Sequence, residues 1–304
     1  MGQIVHFGLG NFARAHLLDY TADAGGDWQV IGVNLRSGAT RDGLAAQDYA
    51  YALKVQGVGL KQIKVLNTIL LASEGQQPIL QAMAHADIIS ATVTEKGYHL
   101  DQNGQLNLQD PVIQAELAGP PLRSLIGFIA HNLAQRDRPV TILSCDNRPG
   151  NGDALRQAVQ QFAQAAHLSV DWSLARFPNA MVDRITPATT DPIRQECKDP
   201  MAVPTEAFRE WVIEDCFAGP RPDWPDVQFV QDVRPHELRK LRMLNGAHSF
   251  LAYAGLARGY DFVHEAISDP QLRHQALSLM REAGATLPQD IQDQVPAYAQ
   301  TLLV

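Results

Sequence analysis

The sequence predicts an α/β protein in which a doubly wound parallel sheet is followed by a mainly α-helical segment. Two observations predict the sheet: apolar, β-branched runs of about eight residues alternate with helical patterns, and a glycine-rich turn joins the first run to the first helix. A third predicts the helical segment, because only helical patterns follow a proline-rich stretch over 219–235. We therefore predict two domains, 1–235 and 236–304.

The composition is that of a soluble globular protein. The chain has 304 residues, of which 45% are hydrophobic and 19% are charged, and its formal net charge is −8. It has no Lys/Arg run typical of nucleic-acid binding and no apolar run near the roughly 18 residues that span a bilayer. The N-terminus lacks a signal-peptide pattern, and three widely spaced cysteines fit a reduced compartment. We predict a cytoplasmic protein without nucleic-acid or membrane partners, as a monomer or weak oligomer.

The first elements read as strand, tight turn, helix and strand. QIVHF predicts a short strand, GLGN a glycine turn, FARAHLLDYTADA a helix that ends at Gly25 and Gly26, and WQVIGVNL the second strand. Two later runs, 86–94 and 139–147, each follow a helical pattern and have the composition of buried parallel strands. This is the order of a Rossmann-type sheet with right-handed crossovers.

The later elements are predicted as helices. The proline-rich stretch has room for one edge strand, VQFVQDV, and the chain then reads helical over HELRKLRMLNGAHSFLAYAGLARG, DFVHEAIS, DPQLRHQALSLMREAG and PAYAQTLLV. Asp269 is placed to cap the third of these helices, with Pro270 in its first turn. The last helix ends on apolar residues, and about seventy residues are few for an all-helical core. We therefore expect this domain to be incomplete, so that it continues past Val304 or is covered by a partner.

The turn after the first predicted strand, GLGNFA (8–13), has the G-x-G-x-x-G/A form of a dinucleotide site. In that form Gly8 allows the tight turn, Gly10 lets the pyrophosphate approach the backbone, and Ala13 permits close packing of helix on strand. The phosphates would lie at the N-terminus of the following helix, where free N–H groups favour anions.

The end of the second predicted strand leaves the choice of cofactor open. NAD-binding folds usually have Asp or Glu there to bind the ribose hydroxyls, whereas this chain has Asn34, Arg36 and Ser37. Asn34 could still bond a ribose, while Arg36 could instead face a 2′-phosphate. We predict NAD, with NADP as the alternative, and include Asn11 and Phe12 of the turn among the binding residues.

Two polar loops follow the later strands at the same edge of the predicted sheet as the glycine turn. TVTEKGYHL (92–100) and LSCDNRPGNG (143–152) each come directly after a strand. Ligands of open α/β sheets bind outside the carboxyl ends of the strands. We therefore expect both loops to face the ligand, and we place Glu95 among the cofactor-binding residues.

Charged residues interrupt two further apolar runs. RFPNAMVDRITPATTDP (176–192) contains Asp183 and Arg184, and WVIEDCF (211–217) contains Glu214 and Asp215. A buried salt bridge between an aspartate and Arg184 is one explanation for these charges, and a functional site is the other.

The helix RKLRMLNGAHSFLAY (239–253) carries Lys240, Asn245 and His248 on less than half of its circumference. At 100° per residue, Asn245 lies about 140° and His248 about 80° from Lys240. Apolar residues on the other faces predict burial, which lowers the pKa of a lysine and suits a general base for an alcohol. Asn245 could donate to a developing oxyanion and His248 could hold a hydroxyl. The alternative is a snorkelling surface lysine beside a core histidine.

Other dehydrogenase chemistries fit the chain poorly. No tyrosine has a lysine four residues later, and the cysteines and histidines show no zinc-site spacing. We therefore predict no metal site, and a lysine base without metal is the chemistry that remains.

Six motifs occur in order along the chain: GLGNFARAH, TEKGY, SCDN with a later NG, FPNAMVDRITP, WVIED and KLRMLNGAHS. On these motifs the whole chain resembles the mannitol dehydrogenase family of polyol-specific long-chain dehydrogenases. That family includes mannitol 2-dehydrogenases, fructuronate and tagaturonate reductases, and arabinitol dehydrogenases. The resemblance implies a Rossmann domain, a mainly helical C-terminal domain, an active site between them and no metal.

The resemblance also implies roles for individual residues. Lys240 matches the general base in the family's Lys-x4-Asn-x2-His pattern, and Asn245 and Asn147 match two oxyanion donors. His248 matches the substrate-binding histidine, and Asp183 is similar to the carboxylate that helps to position substrate and lysine. The implied reaction is removal of a proton from a secondary hydroxyl by Lys240, with hydride passing to nicotinamide.

The resemblance favours a mannitol 2-dehydrogenase type of enzyme, which interconverts D-mannitol and D-fructose with NAD. A fructuronate reductase (D-mannonate oxidoreductase) is the alternative within the family. A non-catalytic dinucleotide-binding protein is the alternative from another class.

The chain departs from the family pattern at three points. The family's glycine turn commonly reads Phe-His-Arg where this chain has Phe12-Ala13-Arg14, and Ala13 keeps the packing role. Arg148 follows SCDN where an apolar residue is more usual, and a basic group there would favour an anionic substrate. Family members also continue well beyond the position that matches Val304, with helices that wall the substrate pocket. The resemblance therefore implies either a truncated chain or a shortened homologue.

Overall fold

The computed structural model describes residues 2–302. The chain forms two compact units, Met1–Gln231 and Asp232–Val304. The predicted boundary after residue 235 falls inside the first helix of the second unit, which begins at Arg234. Pro235 belongs to this helix, because the first turn is the one place where a helix accepts proline. Residues 303 and 304 of the predicted last helix lie outside the described residues.

The strands and helices are numbered in chain order. The strands that the structure describes are β1 (Gly2–Phe7), β2 (Trp28–Asn34), β3 (Tyr51–Val55), β4 (Gly59–Ile63), β5 (Leu66–Leu71), β6 (Ile88–Ala91), β7 (Val140–Ser144), β8 (Ala175–Arg176), β9 (Ala180–Asp183), β10 (Val203–Thr205), β11 (Glu210–Glu214) and β12 (Val227–Val230). The helices of the first unit are α1 (Asn11–Ala15), α2 (Leu17–Ala24), α3 (Ala39–Ala45), α4 (Gln77–His85), α5 (Pro111–Ala118), α6 (Leu125–Ala134), α7 (Asn151–Ala165) and α8 (Asp191–Cys197). Those of the second unit are α9 (Arg234–Arg239), α10 (Gly246–Leu256), α11 (Val263–Ser268), α12 (Pro270–Gly284), α13 (Gln289–Gln292) and α14 (Val295–Thr301), with a π-helical segment at Lys240–Asn245.

The largest sheet has six strands in the order β5-β2-β1-β6-β7-β8, and every pair of neighbours is parallel. Counted within this sheet alone, the order is 3-2-1-4-5-6, which is that of a dinucleotide-binding Rossmann sheet. The order reverses between β1 and β6, so a crevice opens outside the carboxyl ends of these two strands. This topology confirms the predicted doubly wound α/β class.

Both faces of the sheet are covered, which explains the continuous apolar runs in its strands. Val5 and Phe7 of β1 belong to a core that includes Phe128 of α6 and Phe162 of α7. Ile4, which directly precedes Val5 and so points to the opposite side of the sheet, belongs to the core on the other face, with α1 and α2. The runs predicted as strands over 86–94 and 139–147 are observed as β6 and β7.

The described residues also form two smaller sheets of three strands each, in the orders β10-β3-β4 and β12-β11-β9. The predicted edge strand VQFVQDV is observed as β12, at the edge of the second of these sheets. The predicted helix 12–24 is interrupted at His16, where the backbone has φ −114° and ψ −90°. The buried His16 ring lies between the rings of Phe12 and Trp211, at centroid distances of 5.0 and 4.7 Å.

The second unit is built from helices, as predicted. The Asp269 carboxylate accepts hydrogen bonds from the N–H groups of Gln271 and Leu272 at 2.8 and 3.0 Å, with Pro270 in the first turn of α12. This confirms the predicted N-cap. Among the residues that the structure describes, no helix is long and apolar enough to cross a membrane.

Candidate functional site

The glycine turn after β1 is fixed by bonds to its two neighbouring strands. Gly8 has φ +86°, and its N–H donates to the carbonyl of Val33 at 2.9 Å. The Leu9 N–H donates to Oδ1 of Asn34 at 3.0 Å. A Cβ atom on Gly8 would lie 2.3 Å from the carbonyl oxygen of Thr92, so only glycine fits both the backbone angle and the space.

The predicted ribose and 2′-phosphate residues lie at the end of β2 and in the loop after it. Asn34 uses its side-chain oxygen to hold Leu9, which leaves its NH₂ group as the donor for a ligand. Arg36 is exposed in the following loop. The roles assigned to Asn34 and Arg36 in cofactor binding stay predictions.

Asn11 and Phe12, also predicted to bind cofactor, have side chains that are engaged within the protein. Nη2 of the buried Arg14 donates to Oδ1 of Asn11 at 2.7 Å, and Nδ2 of Asn11 donates to Oγ1 of Thr189 at 3.2 Å. The Phe12 ring stacks on His16. A ligand at this turn would therefore meet the backbone of these residues and the face of the Phe12 ring.

A buried histidine supports the glycine turn, and the pattern QIVHF does not indicate this role. His6 is fully buried, with Nδ1 2.9 Å from Oγ of Ser90 and Nε2 3.0 Å from Oγ1 of Thr92. Since the Thr92 hydroxyl donates its one proton to the Gly8 carbonyl at 2.7 Å, Nε2 of His6 must donate to Thr92, and Nδ1 accepts from Ser90. Burial lowers the pKa of His6 to about 3, so this histidine is neutral at physiological pH.

A cleft of about 680 Å³ opens where the strand order reverses. It brings the glycine turn together with both polar loops that the sequence places at this edge. Its lining residues are Gly8, Gly10, Asn11, Phe12, Ala13, Thr92, Thr94, Glu95, Cys145, Asp146, Asn147, Arg148 and Pro149. Of the predicted site residues in the first unit, Asn34, Arg36 and Asp183 are not among them. The volume is within the range of about 300–1,000 Å³ typical of small-molecule sites.

The two polar loops are joined by Asp146, to which sequence reasoning gave no role. Its Oδ1 accepts from the Thr94 N–H at 3.2 Å, and its Oδ2 accepts from the Val93 N–H at 3.4 Å and from the Tyr98 hydroxyl at 2.9 Å. Burial raises the pKa of Asp146, and these hydrogen bonds to the carboxylate oppose the rise. The available signal in the sequence was a carboxylate inside a loop that also carries a predicted ligand, Asn147.

A second contact between the loops is the ion pair of Arg148 with Glu95. Nη1 of Arg148 lies 3.5 Å from Oε1 of Glu95, whose side chain is 84% exposed. A pair this exposed contributes little to stability. Arg148, the basic residue predicted to favour an anionic substrate, therefore lines the cleft, and its ion pair with the exposed Glu95 is weak.

Asp183 and Arg184 at the end of β9 have different surroundings. Arg184 forms a buried ion pair with Asp19 and also donates to the carbonyl of Ala15. The salt-bridge interpretation of Arg184 is thereby confirmed. Asp183 is 7% exposed, and its negative charge adds to burial in raising the pKa of Glu206. The predicted role of Asp183 toward substrate stays a prediction.

In the second unit, the candidate residues Lys240 and Asn245 are the first and last residues of the π-helical segment. The N–H of Gly246 donates to the carbonyl of Leu241, five residues earlier, as in a π-helix. Residues five apart are then separated by about one turn, so Lys240 and Asn245 lie closer around the axis than the predicted angle of about 140°. That angle is wrong because it assumed a regular α-helix. Single π-turns occur frequently at functional sites.

The predicted burial of this helix on several sides is also wrong. Met243 and Leu251 are buried against other helices of the unit, but Asn245 and His248 are exposed and Lys240 is half-buried. The exposed apolar residues of this helical stretch include Leu241, Tyr253 and Leu256. An apolar pattern indicates which residues can be buried, but it does not say which face a neighbouring element covers.

Two family models together match almost the whole chain. Residues 2–226 match the mannitol dehydrogenase Rossmann domain, and residues 232–304 match the mannitol dehydrogenase C-terminal domain. The chain is 40% identical to D-mannonate oxidoreductase of Escherichia coli (strain K12) and 38% identical to mannitol 2-dehydrogenase of Pyrenophora tritici-repentis (strain Pt-1C-BFP). These alignments cover 99% of this chain but 68% and 59% of the two relatives, so the chain spans about three fifths to two thirds of their length.

A solved structure has the same fold over nearly the whole chain. Mannitol 2-dehydrogenase from Pseudomonas fluorescens, in a ternary complex with NAD and D-mannitol, is 37% identical with a TM-score of 0.89. The match covers 99% of this chain and 68% of that one. Sheet order, glycine turn, family models and relatives agree: the chain belongs to the mannitol dehydrogenase family.

Proposed function

We propose that the chain is a metal-independent oxidoreductase that transfers hydride between NAD(H) and a polyol or ketose, of the mannitol 2-dehydrogenase type. The observation that carries this proposal is the cleft, where the glycine turn and two polar loops line one volume of about 680 Å³. Support comes from the related enzyme from Pseudomonas fluorescens, whose structure contains NAD and D-mannitol.

The residues around the glycine turn fit a dinucleotide. At Gly10 a Cβ atom would have no neighbour closer than the Gly8 carbonyl oxygen at 4.0 Å, so the space beside this backbone is open on the cleft side. This is the close approach that a pyrophosphate needs. The helix that follows has only five residues, so we assign binding to local backbone N–H groups more than to a helix dipole. The NH₂ group of Asn34 is the donor available for a ribose hydroxyl.

We assign proton removal from the substrate's secondary hydroxyl to Lys240. A bound nicotinamide would supply the acceptor for the hydride on the carbon that carries this hydroxyl. Asn245 and Asn147 donate hydrogen bonds to the oxygen as its negative charge develops, which is where preorganised donors have their largest effect. His248 holds a neighbouring hydroxyl, and Asp183 helps to orient substrate and lysine.

A second substrate class is favoured by two observations. The D-mannonate oxidoreductase of Escherichia coli is 40% identical to this chain, and Arg148 lines the cleft beside an exposed counter-charge. The alternative substrate is therefore a ketose acid such as fructuronate, whose carboxylate an arginine can bind.

Steady-state reduction of fructose and of fructuronate with NADH and with NADPH tests these proposals. Higher kcat/KM for fructose supports the mannitol 2-dehydrogenase type, whereas higher kcat/KM for fructuronate supports the acid. If fructuronate is the better substrate, Arg148→Ala should lower the ratio of kcat/KM for fructuronate to kcat/KM for fructose. Tight NADH binding without turnover of any polyol or ketose would instead identify a non-catalytic dinucleotide-binding protein.

We further propose that the protein is cytoplasmic and forms a monomer or a weak oligomer, with a small-molecule substrate and no nucleic-acid partner. Light scattering coupled to size-exclusion chromatography over a range of concentrations measures the oligomeric state. A stable tetramer at the lowest concentration would contradict this expectation.

A further inference from the structure

Thr94, in the first of the two polar loops, has a backbone conformation that is rare for its residue type. Its φ is +64° and its ψ is 167°, a region that is essentially restricted to glycine. A β-branched side chain makes this conformation still less favourable. Thr94 lines the cleft and directly precedes Glu95, so the strain lies at the site and not in a remote turn. Such a conformation persists only where the surrounding structure holds it.

The groups that hold Thr94 converge on one carboxylate. Asp146 accepts the Thr94 N–H at 3.2 Å and the preceding Val93 N–H at 3.4 Å, one on each oxygen. Its Oδ2 also accepts from the Tyr98 hydroxyl at 2.9 Å, and the Tyr98 side chain is fully buried. The carboxylate is thus anchored to a buried residue while it accepts the two successive backbone N–H groups that lead into the strained residue.

We propose that Asp146 is a positioning residue of the cofactor cleft, whose carboxylate holds Thr94 in its glycine-like conformation and thereby fixes the Glu95 loop opposite the glycine turn. This inference rests on the proposed function, because it takes the ligand of the cleft to be a dinucleotide. Without the carboxylate the loop relaxes, and binding must then restore the strained conformation. The energy typically stored in one such strained backbone conformation corresponds to a loss of affinity of about 5- to 150-fold.

The test is a double-mutant cycle with Asp146→Asn and Thr94→Gly, read out as the Kd for NADH in a fluorescence titration. Asn keeps the shape of the side chain but replaces one acceptor oxygen with an NH₂ group, which cannot accept the bonds on that side. Glycine adopts a positive φ without strain, so the loop no longer depends on the carboxylate. A matched control is Asp171→Asn, because the Asp171 carboxylate also accepts a backbone N–H, from Ser173 at 3.0 Å, but lies outside the cleft.

We expect Asp146→Asn to raise the Kd about 5- to 150-fold in the otherwise native protein and by a clearly smaller factor when Thr94→Gly is also present. Asp171→Asn should leave the Kd unchanged. An unchanged Kd for Asp146→Asn, or an equal increase with and without Thr94→Gly, would overturn the inference. A purely structural role for Asp146 would give that equal increase.

Two measurements that need no ligand separate this inference from the proposed function. If the native protein binds neither NADH nor NADPH, the proposed function fails, while amide hydrogen exchange over 93–98 still decides whether Asp146 holds the loop. We expect faster exchange there in Asp146→Asn and unchanged exchange in β1 and β7. If Asp146→Asn does not fold, Thr94→Gly alone decides: relief of strain should leave Tm unchanged or higher, and a lower Tm contradicts the inference.

Discussion

The two glycines of the turn should respond to alanine in opposite ways. Gly8 has φ +86°, and an added Cβ would lie 2.3 Å from a backbone oxygen that cannot move aside easily. The left-handed conformation costs a non-glycine residue about 1–2 kcal/mol, and the overlap costs about 1–3 kcal/mol. Gly8→Ala should therefore lose about 2–5 kcal/mol of stability, which lowers Tm by about 4–20 °C for a unit of this size.

Gly10 has an ordinary φ of −94°, and its added Cβ would meet no atom closer than 4.0 Å. Gly10→Ala should therefore leave Tm unchanged or raise it slightly, because alanine restricts the unfolded chain by about 0.4–1 kcal/mol. The methyl group would nevertheless occupy the space beside the turn, so NADH affinity should fall by about tenfold or more. Calorimetry and a fluorescence titration of both variants test the pair. Native NADH affinity in Gly10→Ala, or a native Tm in Gly8→Ala, would refute this account of the turn.

Three further predictions concern stability. The pKa of His6 is about 3 in the folded protein and about 6.5 in the unfolded chain, so the unfolded chain takes up a proton first as the pH falls. Between pH 7 and pH 5 the free energy of unfolding, measured in urea, should therefore fall by about 2 kcal/mol more in the native protein than in His6→Gln. Equal falls in the two proteins would contradict a buried neutral histidine. Arg184→Met removes one of three cationic partners of the buried Asp19, while Lys61 and Arg209 remain, and should cost about 1.5–3 kcal/mol. A cost below about 0.5 kcal/mol would contradict a stabilising role for this pair. Asp269→Ala removes an N-cap and should lower stability by about 0.5–2 kcal/mol, whereas Asp269→Asn should retain most of the capping energy. Equal stability of the two variants would contradict this role.

Local patterns in the sequence were sufficient for the parts of the site that depend on neighbouring residues. The glycine turn was identified because the positions of Gly8, Gly10 and Ala13 relative to one strand and one helix define it. The convergence of the two polar loops followed from the rule that parallel strands end at the same edge. The cap at Asp269 is likewise a local arrangement, and the structure confirms it.

Features that depend on distant residues could not be predicted in this way. The bonds of Asp146 join residues 52 and 53 positions apart, and nothing in either loop alone indicates them. The π-helical segment at Lys240 arises from backbone bonding that the residue pattern does not reveal, so the predicted angle between Lys240 and Asn245 around the helix axis was wrong. The exposure of Asn245 and His248 depends on which elements cover that face, and helical periodicity carries no information about this.

We propose that this chain binds NADH in the cleft and uses Lys240 as the base of a metal-free dehydrogenase. The most direct measurement is the comparison of kcat and NADH Kd in the native protein, in Lys240→Ala, and in Lys64→Ala, an exposed lysine that follows β4. We predict that Lys240→Ala lowers kcat about 10²- to 10⁴-fold with an unchanged Kd, while Lys64→Ala keeps both values native. Native kcat in Lys240→Ala would contradict the role of Lys240 as the base.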